Sequence, residues 1–406
     1  MKSHGIALLG LLLAATAAYS QTEIKLPLVS DAAIQRLVRV TAPSACCAAV
    51  SDAHGWLAIG HQTSYNDAQV SLFRLDRDGT LAAGEPIPLK LASPTALASF
   101  PNYPLSLAFH PKLPLLYVWQ DVALPKRLQE DEPALQEFDH LHIYSLAGPE
   151  PVLVQSQARG SVFADGMSAG TIAVDADSER LYLPNVRQPG AKPHSMYGTC
   201  AYLELDGDGL PLPADRGAKV APPPRVGASL ELHCLNPKNS PVNLGLPQGM
   251  GIVPVSKDMA ILGIGSGAMT WDAANRRGWS DAVMLHPLWR GGFHDRIAAH
   301  PTLPVVYSTL MNRNLLCAMQ HADGYLTLMP RRVAVEGAAF KSYPLVLKSR
   351  NELAVGGAKL LYLISLDEQG FPQPTAKAAK INSRSVAAIA YSEKFDCLYV
   401  AEERTK

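Results

Sequence analysis

Two hairpin patterns alternate along the chain. The first is a short apolar strand, a tight polar turn and a second apolar strand, and in four segments an alanine precedes a tyrosine by nine residues. These segments cover residues 107–118, 172–183, 297–308 and 389–400. Weaker copies lie at residues 48–60, 252–265 and 345–357. The recurrence predicts seven repeated units.

A second hairpin follows most copies. A strand with alternating apolar and polar positions runs into a turn that contains Asp and Gly, which is typical of a β-hairpin. Examples lie at residues 71–81, 201–212, 316–328 and 361–372. Each unit is therefore predicted to contain four antiparallel strands, called A to D in chain order. The last three units start 45, 47 and 45 residues after the preceding ones, which matches the roughly 40–45 residues of a propeller blade.

A single small sheet cannot bury both of its faces, whereas sheets packed radially around an axis can. The pattern thus predicts an all-β fold, a seven-bladed β-propeller of four-stranded antiparallel blades. The last unit reaches only two strands before the sequence ends, and residues 23–29 and 33–40 are strand-like. We expect these N-terminal strands to complete the last blade and close the ring. A truncated sequence is the competing explanation.

Composition narrows the class of protein. Hydrophobic residues make up 48% of the 406 residues and charged residues 18%, as in folded globular proteins. Lys+Arg and Asp+Glu both number 36, so the chain offers no basic surface for nucleic acid or for an anionic membrane.

The first twenty residues resemble a signal peptide. Lys2 precedes an apolar run over residues 6–18, and Ala18 and Ser20 occupy the −3 and −1 positions of a cleavage site. The run is too short to be a good membrane span. We expect residues 1–20 to be removed and residues 21–406 to form one exported domain, secreted or periplasmic, without a membrane span.

The longest insertion separates strand B of the third unit from strand A of the fourth, at about residues 184–249. Export permits disulfides, and Cys200 and Cys234 are the favoured pair because they flank part of this insertion. His194 and His233 could join them in a metal site, but the spacing fits no standard zinc pattern. We therefore predict no metal and no cofactor. The six cysteines are Cys46, Cys47, Cys200, Cys234, Cys317 and Cys397.

Several tempting residues fall in predicted turns. His110 and His300 both lie in a His-Pro-x-Leu-Pro segment between strands A and B, so we expect them to cap local backbone. The Asp-x-Asp-Gly runs that begin at Asp76 and Asp206 resemble calcium loops but lack the remaining ligands of an EF-hand. We interpret them as hairpin turns.

Functional residues are expected at the other edge of the blades, where the B–C and D–A connections lie. The densest polar cluster there is His294, Asp295 and Arg296, our candidate catalytic residues; a polar rim without function is the alternative. Histidine can act as acid or base near neutral pH, and arginine can hold a carboxylate. Candidate ligand-binding residues at this edge are His61, Gln120, Asp121, Arg187, Asn312, Arg313 and Lys359.

The repeat resembles that of the YVTN-type and lactonase-type seven-bladed propellers, which also carry an apolar, His-Pro, turn, Leu-Tyr-Val pattern. The resemblance covers roughly residues 45–406. It implies a propeller fold, and the family includes 6-phosphogluconolactonase-like and muconate-cycloisomerase-like enzymes, and quinoprotein subunits. No catalytic signature of the family falls on a position of this sequence.

Two functions remain open. The leading hypothesis is an exported propeller that binds a small molecule or a protein, because the architecture is clear and no catalytic motif is evident. The alternative is a lactonase-like hydrolase or isomerase that acts on a small lactone or carboxylate at the B–C edge. That enzyme would need a general base, such as His294, Asp295 or His61, and a cation, such as Arg296 or Arg313.

Overall fold

The structure is a computed structural model that describes most of the predicted strands. In several of them only the backbone is described. Within this part of the chain, the one helical element is the 3-10 turn Lys348–Arg350. No helix there is long and apolar enough to cross a membrane. The described residues are 23–26, 28–29, 33–65, 68–91, 102–122, 139–158, 172–175, 177, 179–183, 199–212, 226–231, 251–256, 259–264, 267–272, 277–278, 283–284, 296–310, 315–322, 325–327, 332–335 and 340–403.

Three strands precede the repeated units: β1 (Glu23–Leu26), β2 (Leu28–Val29) and β3 (Leu37–Thr41). The strands after them form seven described sheets, numbered here in chain order. Sheets 1, 2 and 3 each contain four antiparallel strands in the order A to D. Sheet 1 consists of β4 (Ala45–Ser51), β5 (Trp56–Tyr65), β6 (Ala68–Arg74) and β7 (Ile87–Leu89). Sheet 2 consists of β8 (Asn102–Phe109), β9 (Leu115–Val122), β10 (Asp139–Ser145) and β11 (Val152–Ala158). Sheet 3 consists of β12 (Ala173–Asp175), β13 (Arg180–Leu183), β14 (Thr199–Glu204) and β15 (Val226–Glu231).

Sheets 4 and 5 keep the A to D order and add short strands beside strand C. In sheet 4, β18 pairs with both β19 and β20, and in sheet 5, β23 pairs with both β24 and β25. The strands are β16 (Gly251–Ser256), β17 (Met259–Ile264), β18 (Gly267–Asp272), β19 (Arg277–Gly278), β20 (Val283–Met284); β21 (Arg296–Ala299), β22 (Val305–Leu310), β23 (Leu315–Ala322), β24 (Tyr325–Thr327) and β25 (Arg332–Val335).

Sheets 6 and 7 end the chain. Sheet 6 again has four antiparallel strands, whereas the last unit contributes only two strands to sheet 7. The strands are β26 (Leu345–Leu347), β27 (Glu352–Gly356), β28 (Leu360–Leu366), β29 (Pro372–Lys380); β30 (Ile389–Ser392) and β31 (Cys397–Glu402).

The N-terminal strands are distributed over three sheets. Only β3 joins sheet 7, where it pairs with β31 in parallel, while β1 pairs with β25 of sheet 5 and β2 with β29 of sheet 6. The expectation that these N-terminal strands complete the last blade was therefore wrong for β1 and β2, and only β3 lies in sheet 7. The physical reason is that an outer strand leaves a row of N–H and C=O groups unpaired, and one extended segment can pair with three such edges in turn.

The apolar core lies between consecutive sheets. One cluster joins Leu57 and Ile59 of sheet 1 to Ala390 and Tyr399 of sheet 7, and similar clusters join sheets 1 and 2, 2 and 3, 4 and 5, 5 and 6, and 6 and 7. The first strand of each sheet contacts the first strand of the next, and β30 contacts β4. Sheets 1, 2, 5, 6 and 7 thus bury apolar side chains on both faces against their neighbours.

The repeated tyrosine of strand B links neighbouring sheets. Tyr117 of sheet 2 donates its hydroxyl hydrogen to the carbonyl oxygen of Gly209 in sheet 3, at 2.7 Å. Tyr307 of sheet 5 does the same to Gly370 of sheet 6, at 2.5 Å. Burial raises the pKa of both hydroxyls well above the usual range, so they remain donors. The repeat therefore supplies the same bond at each of these junctions.

Tyr399 makes the equivalent bond from sheet 7 to sheet 1. Its hydroxyl donates to the carbonyl oxygen of Gly79, 2.7 Å away. Gly79 has a φ of +84°, a conformation that glycine adopts at little cost. Sheet 7 is thus joined to sheet 1 in the same way as sheet 2 is joined to sheet 3.

Sheet 1 lacks the tyrosine and uses a different donor. Ala58 occupies the tyrosine position, and Arg74 instead donates from Nη2 to the carbonyl oxygens of Gly148 and Pro149 in sheet 2, at 3.2 and 3.4 Å. The Arg74 guanidinium stacks over the ring of Trp56, 3.6 Å from its centroid. A cation on an aromatic ring of this kind is a favourable arrangement.

The turn histidines cap backbone as expected. Nδ1 of His110 accepts hydrogen bonds from the amides of Lys112 and Leu113, at 3.1 and 2.9 Å. Nδ1 of His300 accepts from Thr302 and Leu303, at 3.2 and 3.0 Å. A nitrogen that accepts two amide hydrogens cannot also bind a proton, so these bonds require neutral imidazoles.

The Asp-x-Asp-Gly segments are also turns. Oδ1 of Asp206 accepts from the amides of Asp208 and Leu210, both at 2.9 Å. Oδ1 of Asp78 accepts from the amide and the hydroxyl of Thr80, and these bonds lower the pKa of that carboxyl. The carboxylates are therefore used within their own turns.

We predict that Tyr399→Phe lowers the free energy of unfolding by about 1–2 kcal/mol, because it leaves the carbonyl of Gly79 without its donor. Chemical denaturation of the purified protein measures the change. Tyr144→Phe is the control, since no hydrogen bond of the Tyr144 hydroxyl is found among the described residues, and it should change stability by less than about 0.5 kcal/mol. Equal effects of the two variants would contradict the role of this bond.

We also predict acid sensitivity from His110 and His300, whose pKa is lowered chiefly by burial and further by Lys112 and Lys348 respectively. The unfolded chain then binds more protons than the folded one as pH falls below about 6.5, so stability decreases in that range. The double variant His110→Asn/His300→Asn keeps an acceptor oxygen but cannot titrate.

Denaturation at pH 7, 6 and 5 should therefore show a shallower loss of stability in this double variant than in the wild type. The histidines would have no part in the pH dependence if the two profiles ran parallel.

Candidate functional site

The candidate site is the B–C edge, where strands B and D end and strands A and C begin. Buried polar side chains fall into two groups. Ser51, His110, His300 and Ser392 belong to the A–B turns at the opposite edge. The other buried polar residues lie toward the B–C edge or just before strand A: His61, Gln69, Ser71, Ser106, Gln120, His142, Ser308, Thr309 and Ser342.

His61 and Ser71 form a buried pair in sheet 1. Nδ1 of His61 lies 3.0 Å from the carbonyl oxygen of Pro43, which can only accept, so Nδ1 carries the hydrogen. Burial lowers the pKa of His61, and the Pro43 carbonyl opposes this only in part. The ring is therefore neutral, and Nε2 accepts from the hydroxyl of Ser71 at 2.8 Å.

A second buried pair lies in sheet 2. The Nε2–H of His142 donates to Oε1 of Gln120 at 3.1 Å, and both residues are at most 1% exposed. Gln120 is on strand B and His142 on strand C, as His61 and Ser71 are in sheet 1. The pair fixes the side chain of Gln120 beneath the B–C edge.

The two pairs occupy equivalent positions. His61 and Gln120 each follow the repeated Ala58 or Tyr117 position by three residues. Ser71 and His142 each lie opposite the residue directly after that position, Ile59 or Val118. In sheets 3 and 5 the position of Ser71 and His142 holds Ala201 and Cys317.

Other buried polar groups fix the connections around these sheets. Oε1 of Gln69 accepts from the amide of Leu91 at 2.6 Å, just after strand D of sheet 1. Oγ of Ser106 accepts from the amide of Ile172 at 2.9 Å, just before strand A of sheet 3. Together with the bond from His61 to Pro43, they hold three chain connections at the B–C edge.

The connection into sheet 6 is held in a similar way. Oγ of Ser342 accepts from the amide of Gly356 at 2.6 Å and donates to the carbonyl oxygen of Tyr343 at 2.9 Å. Lys359 lies in the adjacent B–C turn, where it is exposed and has a φ of +59°. Its side chain is therefore on the surface of the candidate site.

Sheet 7 uses its polar groups for closure. Arg39 of β3 pairs with Glu402 of β31, and Nη2 of Arg39 donates to the carbonyl oxygen of Lys380 at 3.1 Å. The amide of Asn382 also donates to Oε1 of Glu402, at 3.3 Å. Glu402 is thus engaged in holding sheets 6 and 7 together.

The structure describes only part of the predicted site. His294, Asp295, Arg187, Asn312 and Arg313 lie outside the described residues. For Arg296 and Asp121 only the backbone is described: Arg296 begins β21, and Asp121 lies on β9 directly after Gln120. These residues remain predicted candidates.

Two of the predicted ligand-binding residues are placed differently from expectation. His61 and Gln120 are fully buried and already hydrogen-bonded within their sheets, so they lie beneath the surface that a ligand would touch. Sequence reasoning overlooked their partners, Ser71 and His142. The sequence feature that could have identified them is a single polar residue between two apolar neighbours in strand C.

The structure describes only some of the cysteines and histidines that were considered for a disulfide or a metal site. Among the described residues, no group of three or more His, Cys, Asp or Glu side chains is arranged to hold a metal ion. Cys397 carries a thiol whose Sγ accepts hydrogen bonds from Nε and Nη2 of Arg36, both at 3.4 Å. For the predicted disulfide between Cys200 and Cys234, only the backbone of Cys200 is described, on β14. Cys234 lies outside the described residues, as do His194 and His233.

Comparison with known proteins gives a match at the level of fold. No protein-family model and no curated protein matches the chain. The periplasmic gluconolactonase PpgL of Pseudomonas aeruginosa matches with a TM-score of 0.58 at 15% identity, over 84% of this chain and 87% of that one. A candidate 6-phosphogluconolactonase of Bacteroides fragilis matches with a TM-score of 0.56 at 12% identity, over 86% and 87%.

A protein of Lactobacillus plantarum matches equally well, with a TM-score of 0.56 at 12% identity over 89% of this chain and 90% of the other. These likenesses confirm the resemblance to the lactonase-like propellers, and the chain has a propeller-like, nearly all-β fold. They contradict the leading hypothesis of a non-catalytic binding or scaffold module, because the structures that share the fold carry the names of lactonases. The enzyme alternative fits better.

Proposed function

We propose that this protein is a lactonase that hydrolyses a small lactone at the B–C edge of a closed seven-bladed β-propeller. The observation that carries the proposal is the match over more than four-fifths of the chain to structures named as lactonases. Fold alone does not define an activity. The buried histidine pairs beneath the B–C edge, which a purely structural blade does not need, add support.

The closed ring is supported by the junction between sheets 7 and 1. It has the apolar cluster, the contact between first strands and the tyrosine-to-glycine bond found at the junction between sheets 2 and 3. With β3 beside β31, the seven sheets form one domain over residues 21–406. The insertion predicted at about residues 184–249 contains strands β14 and β15 of sheet 3, so its added length is divided among the connections before, between and after these two strands.

The reaction adds one water molecule to the lactone. A general base removes a proton from water as its oxygen attacks the carbonyl carbon, the ring C–O bond breaks, and the leaving oxygen takes up a proton. The product is a hydroxy acid, which ionises at neutral pH and releases one proton. The residues proposed for these steps are His294 or Asp295 as base and Arg296 or Arg313 as the cation that binds the developing anion.

The remaining predicted residues are proposed to contact the substrate. Asp121, Arg187, Asn312 and Lys359 belong to four different sheets, so a ligand over the centre of the B–C edge could reach several of them. Because sugar phosphates are cytoplasmic and the chain is proposed to be exported, the substrate class is an unphosphorylated lactone.

We predict that residues 21–406 release protons from a panel of five- and six-membered sugar lactones faster than the uncatalysed reaction. The double variant His294→Ala/Arg296→Ala should lower kcat/KM by about 100-fold or more, the usual contribution of general acid–base catalysis. Arg77→Ala, at the opposite edge, is the matched control and should leave kcat/KM unchanged.

Three other results are informative. Absence of turnover across the panel would contradict the lactonase proposal. Turnover that survives in the double variant would remove the catalytic role from His294 and Arg296. Turnover lost only with a chelator would indicate a metal-dependent reaction.

Export is proposed from the signal-peptide pattern of residues 1–20, together with a disulfide between Cys200 and Cys234. Expression of the full chain in a bacterium should yield a periplasmic protein that begins at Gln21. Alkylation after unfolding should then leave Cys200 and Cys234 unlabelled, and reduction should make both reactive. Ala18→Arg should block processing, and an unprocessed wild type would contradict the proposal.

A further inference from the structure

Two buried pairs, His61–Ser71 and Gln120–His142, lie beneath the B–C edge of adjacent sheets. They are the pairs in which a histidine is hydrogen-bonded to another buried side chain within the described sheets. The described exposed apolar strand, Val152 to Val154 on β11, carries no proposal because nothing in the structure shows what covers it.

The geometry of the first pair is that of an activated serine. The hydroxyl of Ser71 donates to Nε2 of His61, whose Nδ1–H is oriented by the carbonyl of Pro43. This order of nucleophile, base and orienting group is common to covalent hydrolases. However, Ser71 is 3% exposed and His61 is fully buried, so a substrate carbonyl cannot approach the hydroxyl. The pair therefore acts on the site through other residues.

The small contribution that a buried polar pair makes to folding stability indicates that these pairs also have another role. A buried polar pair is rarely more stabilising than well-packed apolar side chains of similar size, because both members lose their hydration. Sheets 3 and 5 fold with Ala201 and Cys317 at the corresponding strand C position. Polar pairs at this position occur together in two adjacent sheets, 1 and 2, at the same height below the B–C edge.

Each pair also supports residues at the edge. His61 directly precedes Gln62, and Gln120 directly precedes Asp121. His61 holds the entry to strand A of sheet 1 through Pro43, while neighbouring Gln69 and Ser106 hold the connections at Leu91 and Ile172. Around sheets 1 and 2, buried side chains of the strands thus fix the backbone of the edge at Pro43, Leu91 and Ile172.

We propose that His61–Ser71 and Gln120–His142 are positioning pairs of the lactone-binding site, and that the substrate is held over sheets 1 and 2. This inference rests on the proposed function and deepens it by assigning the part of the edge that binds substrate. The contacts that these pairs position would stabilise the bound lactone and the transition state equally. Loss of a pair should therefore raise KM more than it lowers kcat.

The test is steady-state lactone hydrolysis by the wild type and by Ser71→Ala, His142→Leu and His142→Gln of residues 21–406. Ser71→Ala and His142→Leu should each raise KM about tenfold and change kcat by less than about threefold. His142→Gln keeps an N–H donor for Gln120 and should restore KM to within about threefold of the wild type. Thr309→Val, a buried polar residue of sheet 5 at the same edge, is the control and should leave KM unchanged.

The outcomes separate the two proposals. Wild-type protein without lactone turnover would overturn the proposed function and this inference with it. Wild-type turnover with an unchanged KM in Ser71→Ala and His142→Leu would overturn the inference alone. An equal rise of KM in Thr309→Val would also overturn it, since the effect would then be a general loosening of the edge. If His142→Leu does not fold, as judged by circular dichroism, Ser71→Ala and His142→Gln decide the question.

Discussion

The structure depends on bonds to the C–D turn of the next sheet, which sheets 1, 2, 5 and 7 make in the described part of the chain. A small four-stranded sheet is stable only when both faces are covered, and the covering sheet must be held at a fixed distance. The hydroxyls of Tyr117, Tyr307 and Tyr399 provide this by donating to a glycine carbonyl. Burial makes the bond strong and also makes an unpaired carbonyl costly. The apolar clusters between sheets then assemble in register.

The same constraint separates the two edges of the molecule. At the A–B edge, tyrosine and arginine bonds, histidine caps and aspartate turns engage the polar groups locally, which leaves these residues little freedom for chemistry. At the B–C edge, buried polar side chains such as Gln69, Ser106 and Ser342 hold the connections from below the surface, while Lys359 is exposed. A layer of buried, hydrogen-bonded side chains beneath an edge is a suitable arrangement for a binding site.

Much of the fold was predictable because its signals are local. Alternating apolar positions specify a strand, Asp and Gly specify a turn, and the spacing of Ala108 and Tyr117 specifies the pairing between two strands. Their repetition identified the units and assigned His110 and His300 correctly to turns. The site was less predictable, since the pairing of Gln120 with His142 and of His61 with Ser71 depends on two strands side by side. Neither pair stands out in a one-dimensional pattern.

The sequence by itself determined the hairpins, the repeated unit, its tyrosine and its turn residues, because each follows from interactions between residues close in the chain. The tertiary structure decided where the N-terminal segment goes: β1, β2 and β3 pair in parallel with three different sheets. It also placed His61 and Gln120 below the surface, each within hydrogen-bond distance of a side chain on the neighbouring strand. Both outcomes depend on contacts between residues far apart in sequence, such as Arg39 with Glu402, and these form only when the sheets are assembled.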